Sequence, residues 1–234
     1  MMTMWTRVLS LRTGTTRSIR SLRNDQQGSV LVEFTIILSL LLTLTLGFVD
    51  FSAALYQWNS ATKAVERGAR LAAVSNPVAS GITALSGVSG TVNPGDAMPA
   101  FEAVCNGSTG SCACTGALAT CTYSATAMSD IVFGRGKTVC GAIGADGTAA
   151  MCDMFQHIGA TLTSANVIVT YTNAAASGLG FAGRPGGAVA MVKVEVTGLP
   201  FNFFFLNGLL GFPTINMPPL TTTVTGEDLS STAS

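Results

Sequence analysis

The sequence predicts an α+β protein: one long N-terminal helix, first apolar and then amphipathic, followed by a disulfide-bearing domain built on a small antiparallel β-sheet. Three observations predict it. A long apolar run follows a basic leader, a helical repeat continues past the end of that run, and β-branched segments with period-two alternation fill the last third. At 234 residues the chain has room for one folded domain and an anchor. Only 10% of the residues are charged while 48% are hydrophobic, a balance unlike that of a disordered chain or a cytosolic enzyme.

The leader comes first. Arg7, Arg12, Arg17, Arg20 and Arg23 face a single acid, Asp25. Because the chain is neutral overall, everything beyond Gly28 is net acidic. A basic flank is held on the cytoplasmic side of a membrane, so the expected orientation is N-terminus in and C-terminal domain out. From Phe34 to Val49 no residue is charged, and with Val30 to Val32 the run reaches roughly the 20 residues a spanning helix needs. Glu33 alone interrupts it. Thr35, Ser39, Thr43 and Thr45 fit the helix, since hydroxyls bond back to its carbonyls and can mark a packing face. A secretory signal peptide also has a basic start and an apolar core. Against it stand the carboxylate inside the run and the bulky Leu46-Gly47-Phe48-Val49-Asp50, which offers no small-residue cleavage site.

Beyond the run, Phe51, Leu55, Trp58, Thr62, Val65, Ala69 and Ala72 recur at steps of three and four, so the helix is expected to continue until Asn76-Pro77 stops it. A helix from about Ser29 to about Val74 is roughly 65 to 70 Å long. Tyr56 and Trp58 then stand near the outer interface, where aromatic residues anchor. The expected organisation is a leader over 1–28, a transmembrane helix over 29–50, an amphipathic extension over 51–75 and an extracytoplasmic α+β domain over 76–234.

Three groups of residues, in order, carry a resemblance. They are Gly28-Ser29-Val30-Leu31-Val32-Glu33-Phe34, then Gly47-Phe48-Val49-Asp50-Phe51, then Ala64-Val65-Glu66-Arg67-Gly68-Ala69-Arg70-Leu71-Ala72-Ala73. Together they resemble the TadE-like family, pseudopilins of the tight-adherence (Flp, type IVb) pilus. The resemblance implies a pilin-like layout in the bacterial inner membrane, with the C-terminal domain in the periplasm or carried into the pilus. It implies that a prepilin peptidase cuts between Gly28 and Ser29, making Glu33 the fifth residue of the mature chain and Glu33-Phe34 the assembly pair. An unpaired carboxylate within the bilayer is costly, so a partner cation is expected. In pilin-like assemblies that cation is the new N-terminal amine of a neighbouring subunit. The bland alternative is a Glu33 that snorkels to the cytoplasmic interface. The implied partners are the peptidase, other pilin or pseudopilin subunits, pilus assembly proteins and inner-membrane lipid.

All six cysteines, Cys105, Cys112, Cys114, Cys121, Cys140 and Cys152, follow the apolar run, where the expected orientation places them in an oxidising compartment. Their even number suits disulfides, and the sequence does not choose among the pairings. Cys112 and Cys114, with one residue between them, are expected to reach different partners. Residues 75–99 read as an irregular stretch. In the cysteine-rich region Ser129 to Phe133 reads as a short strand and Ala149 to Ile158 as a short helix. Val167 to Thr172, Val189 to Val196 and Leu220 to Thr225 read as strands, with Asn173 to Gly187 forming a wide hairpin. In the second, Val192, Val194 and Val196 are expected inside, with Met191, Lys193 and Glu195 on the wet face. Pro200 to Leu206 contains Phe201, Phe203, Phe204 and Phe205 and is too short to span a bilayer. It reads either as core filling or as a surface for a partner subunit or the membrane.

No catalytic, cofactor-binding or metal-binding constellation emerges. Gly136-Lys137-Thr138 imitates the end of a phosphate-binding loop, but Ile131 stands where the required first glycine belongs. Neither nucleotide nor nucleic acid is an expected partner. His157, with Asp153 one turn before it, has no nucleophile turn and no second histidine. The cysteines lack the paired spacing of structural zinc sites. Asn106-Gly107-Ser108 predicts a turn. The expected function is that of a minor pseudopilin without catalysis. The alternative is an uncleaved, membrane-tethered envelope binding or adhesion protein.

Overall fold

A computed structural model describes residues 26–141, 150–173, 179–205, 207–208, 211, 213–226 and 229. The leader arginines, and part of the expected hairpin between Asn173 and Gly187, lie outside the described residues.

Helix α1 runs unbroken over Gln26–Ala73, 48 residues or about 72 Å. No proline interrupts it. The hydroxyls of Thr35, Ser39, Thr43 and Thr45 donate back to the carbonyls of Val32, Ile36, Ser39 and Leu42 at 2.8–2.9 Å, so they leave no orphan polar group in the apolar run. The chain divides into two units, 1–49 and 50–234. In the first, side chains such as Val30, Ile37, Leu40 and Leu44 are exposed. The helix is long and apolar enough to cross a membrane.

In the second unit α1 turns a face of small residues, Ala61, Ala64, Gly68, Ala69 and Ala72, into the core together with Val65. Gly68 packs on the Met151 thioether, so even a methyl there meets sulfur. The expected apolar face begins later than its periodicity suggests. Phe51 and Leu55 are exposed, and the inward positions of these first turns are the polar Asp50 and Gln57. Hydrogen bonds to a loop replace apolar packing at this level.

The sheet has five antiparallel strands in the order β2-β1-β3-β4-β5, with β1 at Phe101–Asn106, β2 at Ser111–Gly116, β3 at Val167–Asn173, β4 at Met191–Val196 and β5 at Leu220–Thr225. Three of these match the β-branched segments. The hairpin of β1 and β2 carries no such signal, because its inward positions are Phe101, Ala103 and Cys105 and its outer strand is Ser-Cys-Ala-Cys-Thr-Gly. Register aligns Cys105, Val169 and Val194 in one row and Ala103, Tyr171 and Val192 in the next, all buried. Val192, Val194 and Val196 face inward while Lys193 and Glu195 pair at 3.1 Å on the wetter face. The β1–β2 turn approaches the Ser164 carbonyl so closely that only a glycine fits at Gly107. Asn106 Oδ1 accepts from Ser108 N–H at 2.8 Å, forming the expected turn.

The segment ending at Phe133 is helical, correcting the expected strand. Helix α2 spans Ala125–Phe133, with the Ser124 hydroxyl capping Ala127 N–H. Ala127, Met128, Ile131 and Val132 are buried, the i, i+1, i+4, i+5 spacing of one helical face. The β-branched pair Ile131-Val132 mimicked a strand over too short a window to show this period. Helix α3 spans Met151–His157. Tyr171 is wholly buried, and its hydroxyl accepts from Val78 N–H at 3.0 Å. Burial raises this phenol well above its ordinary pKa.

Candidate functional site

At the start of α1, Gly28, Ser29, Glu33 and Phe34 all lie in regular helix and are exposed. Ser29 Oγ donates to the Glu33 carboxylate at 3.3 Å, one turn along. A hydroxyl brings no compensating charge to the carboxylate.

A second cluster forms at the level of Asp50, the residue that ends the apolar run. Its carboxylate is completely buried and accepts from the N–H of Phe204 at 3.0 Å and of Phe205 at 2.9 Å. Seven residues along, on the same helical face, Gln57 holds the loop a second time. Its Oε1 accepts from Asn202 N–H at 2.9 Å and its Nε2 donates to the Asn202 carbonyl at 2.7 Å. The Asn202 side chain reaches the carbonyls of Ile158 and Gly159, which close α3. Trp58, Phe201 and Phe203 form a ring ladder with centroids 6.5 and 6.0 Å apart. The Phe-rich segment therefore divides. Phe201 and Phe203 are half-buried, whereas Phe204 and Phe205 are 70% and 38% exposed on the clamped turn. Periodicity did not single out Asp50 and Gln57. Their signal was position, two polar residues seven apart directly after a charge-free run.

From Gly28 through Arg70 the chain fits one family model, that of TadE-like proteins. Residues 28–70 are TadE-like. The matched segment ends inside α1, short of every strand. No curated protein and no solved structure matches the chain. The TadE-like segment thus contains the exposed apolar helix, Asp50, Gln57 and the buried small-residue face, while the Phe-bearing turn lies outside it. The TadE-like family is pilus-associated and structural rather than catalytic.

The cysteines lie at disulfide distance as Cys105 with Cys112, Cys114 with Cys121, and Cys140 with Cys152. Cys112 and Cys114 thus turn to different partners. Cys105 and Cys112 face each other in the β1–β2 register. Asp153 serves α3 itself. Its buried carboxylate accepts from Gly141 N–H at 2.6 Å and Ala150 N–H at 2.9 Å, while His157 is exposed. The turn at Gly136 is capped by Asp130 Oδ1 at 2.9 Å, an acid where a phosphate site needs donors. The TadE-like residues Arg67 and Arg70 line a recess of about 400 Å³ with Arg135 and Lys137. Arg135 donates to the Val74 carbonyl at 3.0 Å, a cation at the C-terminal end of α1, where the helix dipole favours it.

Proposed function

We propose that this protein is a minor pseudopilin-like structural component of a tight-adherence pilus, anchored in the inner membrane with its disulfide-bearing domain in the periplasm. The observation that carries the reading is the coincidence of the TadE-like match with the exposed apolar half of one continuous helix. Such a helix has side chains suited to lipid or to neighbouring helices along most of its first unit, so it enters a helical bundle through the lipid phase. Glu33 is its one ionisable residue after the proposed cleavage at Gly28-Ser29 and before Asp50. Pairing it with the Ser29 amine of an adjacent subunit neutralises two charges in lipid and fixes the register between helices. Phe34, exposed beside it, packs on the same neighbour.

The test is genetic complementation. A deletion strain should lose surface fibres or make severalfold fewer, and the wild-type gene should restore them. Glu33→Gln, although synthesised and inserted, should not restore them. Normal piliation in the deletion strain would overturn the proposal. An uncleaved, membrane-tethered binding protein becomes the better account if residues 1–28 are retained in the mature protein.

A further inference from the structure

The clamped turn has an unusual pair of properties. Its backbone is held by a fully buried carboxylate, yet the side chains it presents are large, apolar and exposed, Phe204 at 70% and Phe205 at 38%. A turn that only filled core would bury these rings. Asp50 also fixes where the turn sits along the chain, because it directly follows the charge-free run Phe34 to Val49. Tied to Asp50, the turn is held at the first residue of the second unit.

We infer that Phe204 and Phe205 form a bilayer anchor, inserting into the interfacial layer of the leaflet from which α1 emerges. The inference rests on the reading of residues 29–49 as a membrane span. Irregular backbone near hydrocarbon is costly unless its N–H groups are satisfied within the protein. The Asp50 carboxylate satisfies those of Phe204 and Phe205. The paired bonds between Gln57 and Asn202, with the Trp58–Phe201–Phe203 ladder, give the turn a rigid root. On the helix, Phe51 and Leu55 are likewise exposed just past Asp50, one turn apart on a common side. Lipid is favoured over a protein partner because the exposed rings are held at Asp50, the residue that directly follows the charge-free run. Phenylalanine side chains on interfacial segments bury into the headgroup/acyl boundary, which matches this height on the helix.

The test places a photoreactive benzoylphenylalanine at Leu40, at Phe204 or at Val74 of the full chain in native membranes, then identifies adducts by mass spectrometry. Leu40 is 64% exposed in the apolar run, and Val74, just past the end of α1 and about 36 Å beyond Asp50, is 40% exposed. Replacing an exposed phenylalanine with a larger aromatic ring leaves folding intact, checked by an unchanged thermal transition. Phospholipid adducts at 40 and 204 but not at 74 are expected. Lipid at 40 with only protein adducts, or none, at 204 overturns the anchor while leaving the span standing. Lipid at all three positions removes the discrimination the inference needs and also overturns it. No lipid at 40 overturns the membrane span, and the anchor with it.

Discussion

At the scale of single residues, the buried polar groups of Asp50 and Tyr171 bear large consequences. Asp50→Ala leaves the N–H groups of Phe204 and Phe205 without this acceptor and should cost about 2–4 kcal/mol, read as a lowered thermal midpoint of the detergent-solubilised protein. Asp50→Asn keeps one acceptor oxygen and should fall between. Tyr171→Phe strands the Val78 N–H and should cost about 1–2 kcal/mol. Tyr171 also sets a pH dependence. Its pKa is raised by burial, so the folded state holds the phenolic proton more tightly than the unfolded state. That contribution is whole below the unfolded value near about 10 and is lost as pH rises above it. Denaturant midpoints should therefore decline above this pH in the wild type and decline less in Tyr171→Phe.

Among the elements, those written in side-chain period were legible in the sequence. The long helix, β3, β4 and β5 each show a sustained apolar pattern or a β-branched run. The β1–β2 hairpin was hidden because only Phe101 among its inward residues is large, the others being alanine and cysteine, and it is cross-linked and paired to β3. Helix α2 was misread because two β-branched residues dominate its last turn. Phe51 and Leu55 headed the apolar repeat because periodicity counts apolar residues and cannot see that a loop distant in sequence binds Asp50 and Gln57 instead. The same blindness concealed the Asp50–Phe204 clamp and the Arg67, Arg70, Arg135 and Lys137 recess, whose members come from separate parts of the chain. The hairpin makes its own prediction. The three cystines close loops at sequence separations of 7, 7 and 12, and each should add roughly 2–3 kcal/mol. Reduction should lower the thermal midpoint of the wild type, and Cys105→Ala with Cys112→Ala should lower it without reductant.

In the whole molecule, a helix whose exposed apolar first part suits lipid or other helices continues into a cross-linked domain. The two halves answer to different environments. This explains why a single α-helix is exposed and apolar over residues 30–44, then buries alanines over 61–73. The central claim is that the leader is removed so that Ser29 and Glu33 can enter an assembly. The most direct test is mass spectrometry of the N-terminus of membrane-extracted protein from cells with and without the pilus prepilin peptidase. The account predicts a chain beginning at Ser29 in the first strain and an uncut leader in the second. A leader retained in both, or a start elsewhere, would contradict it.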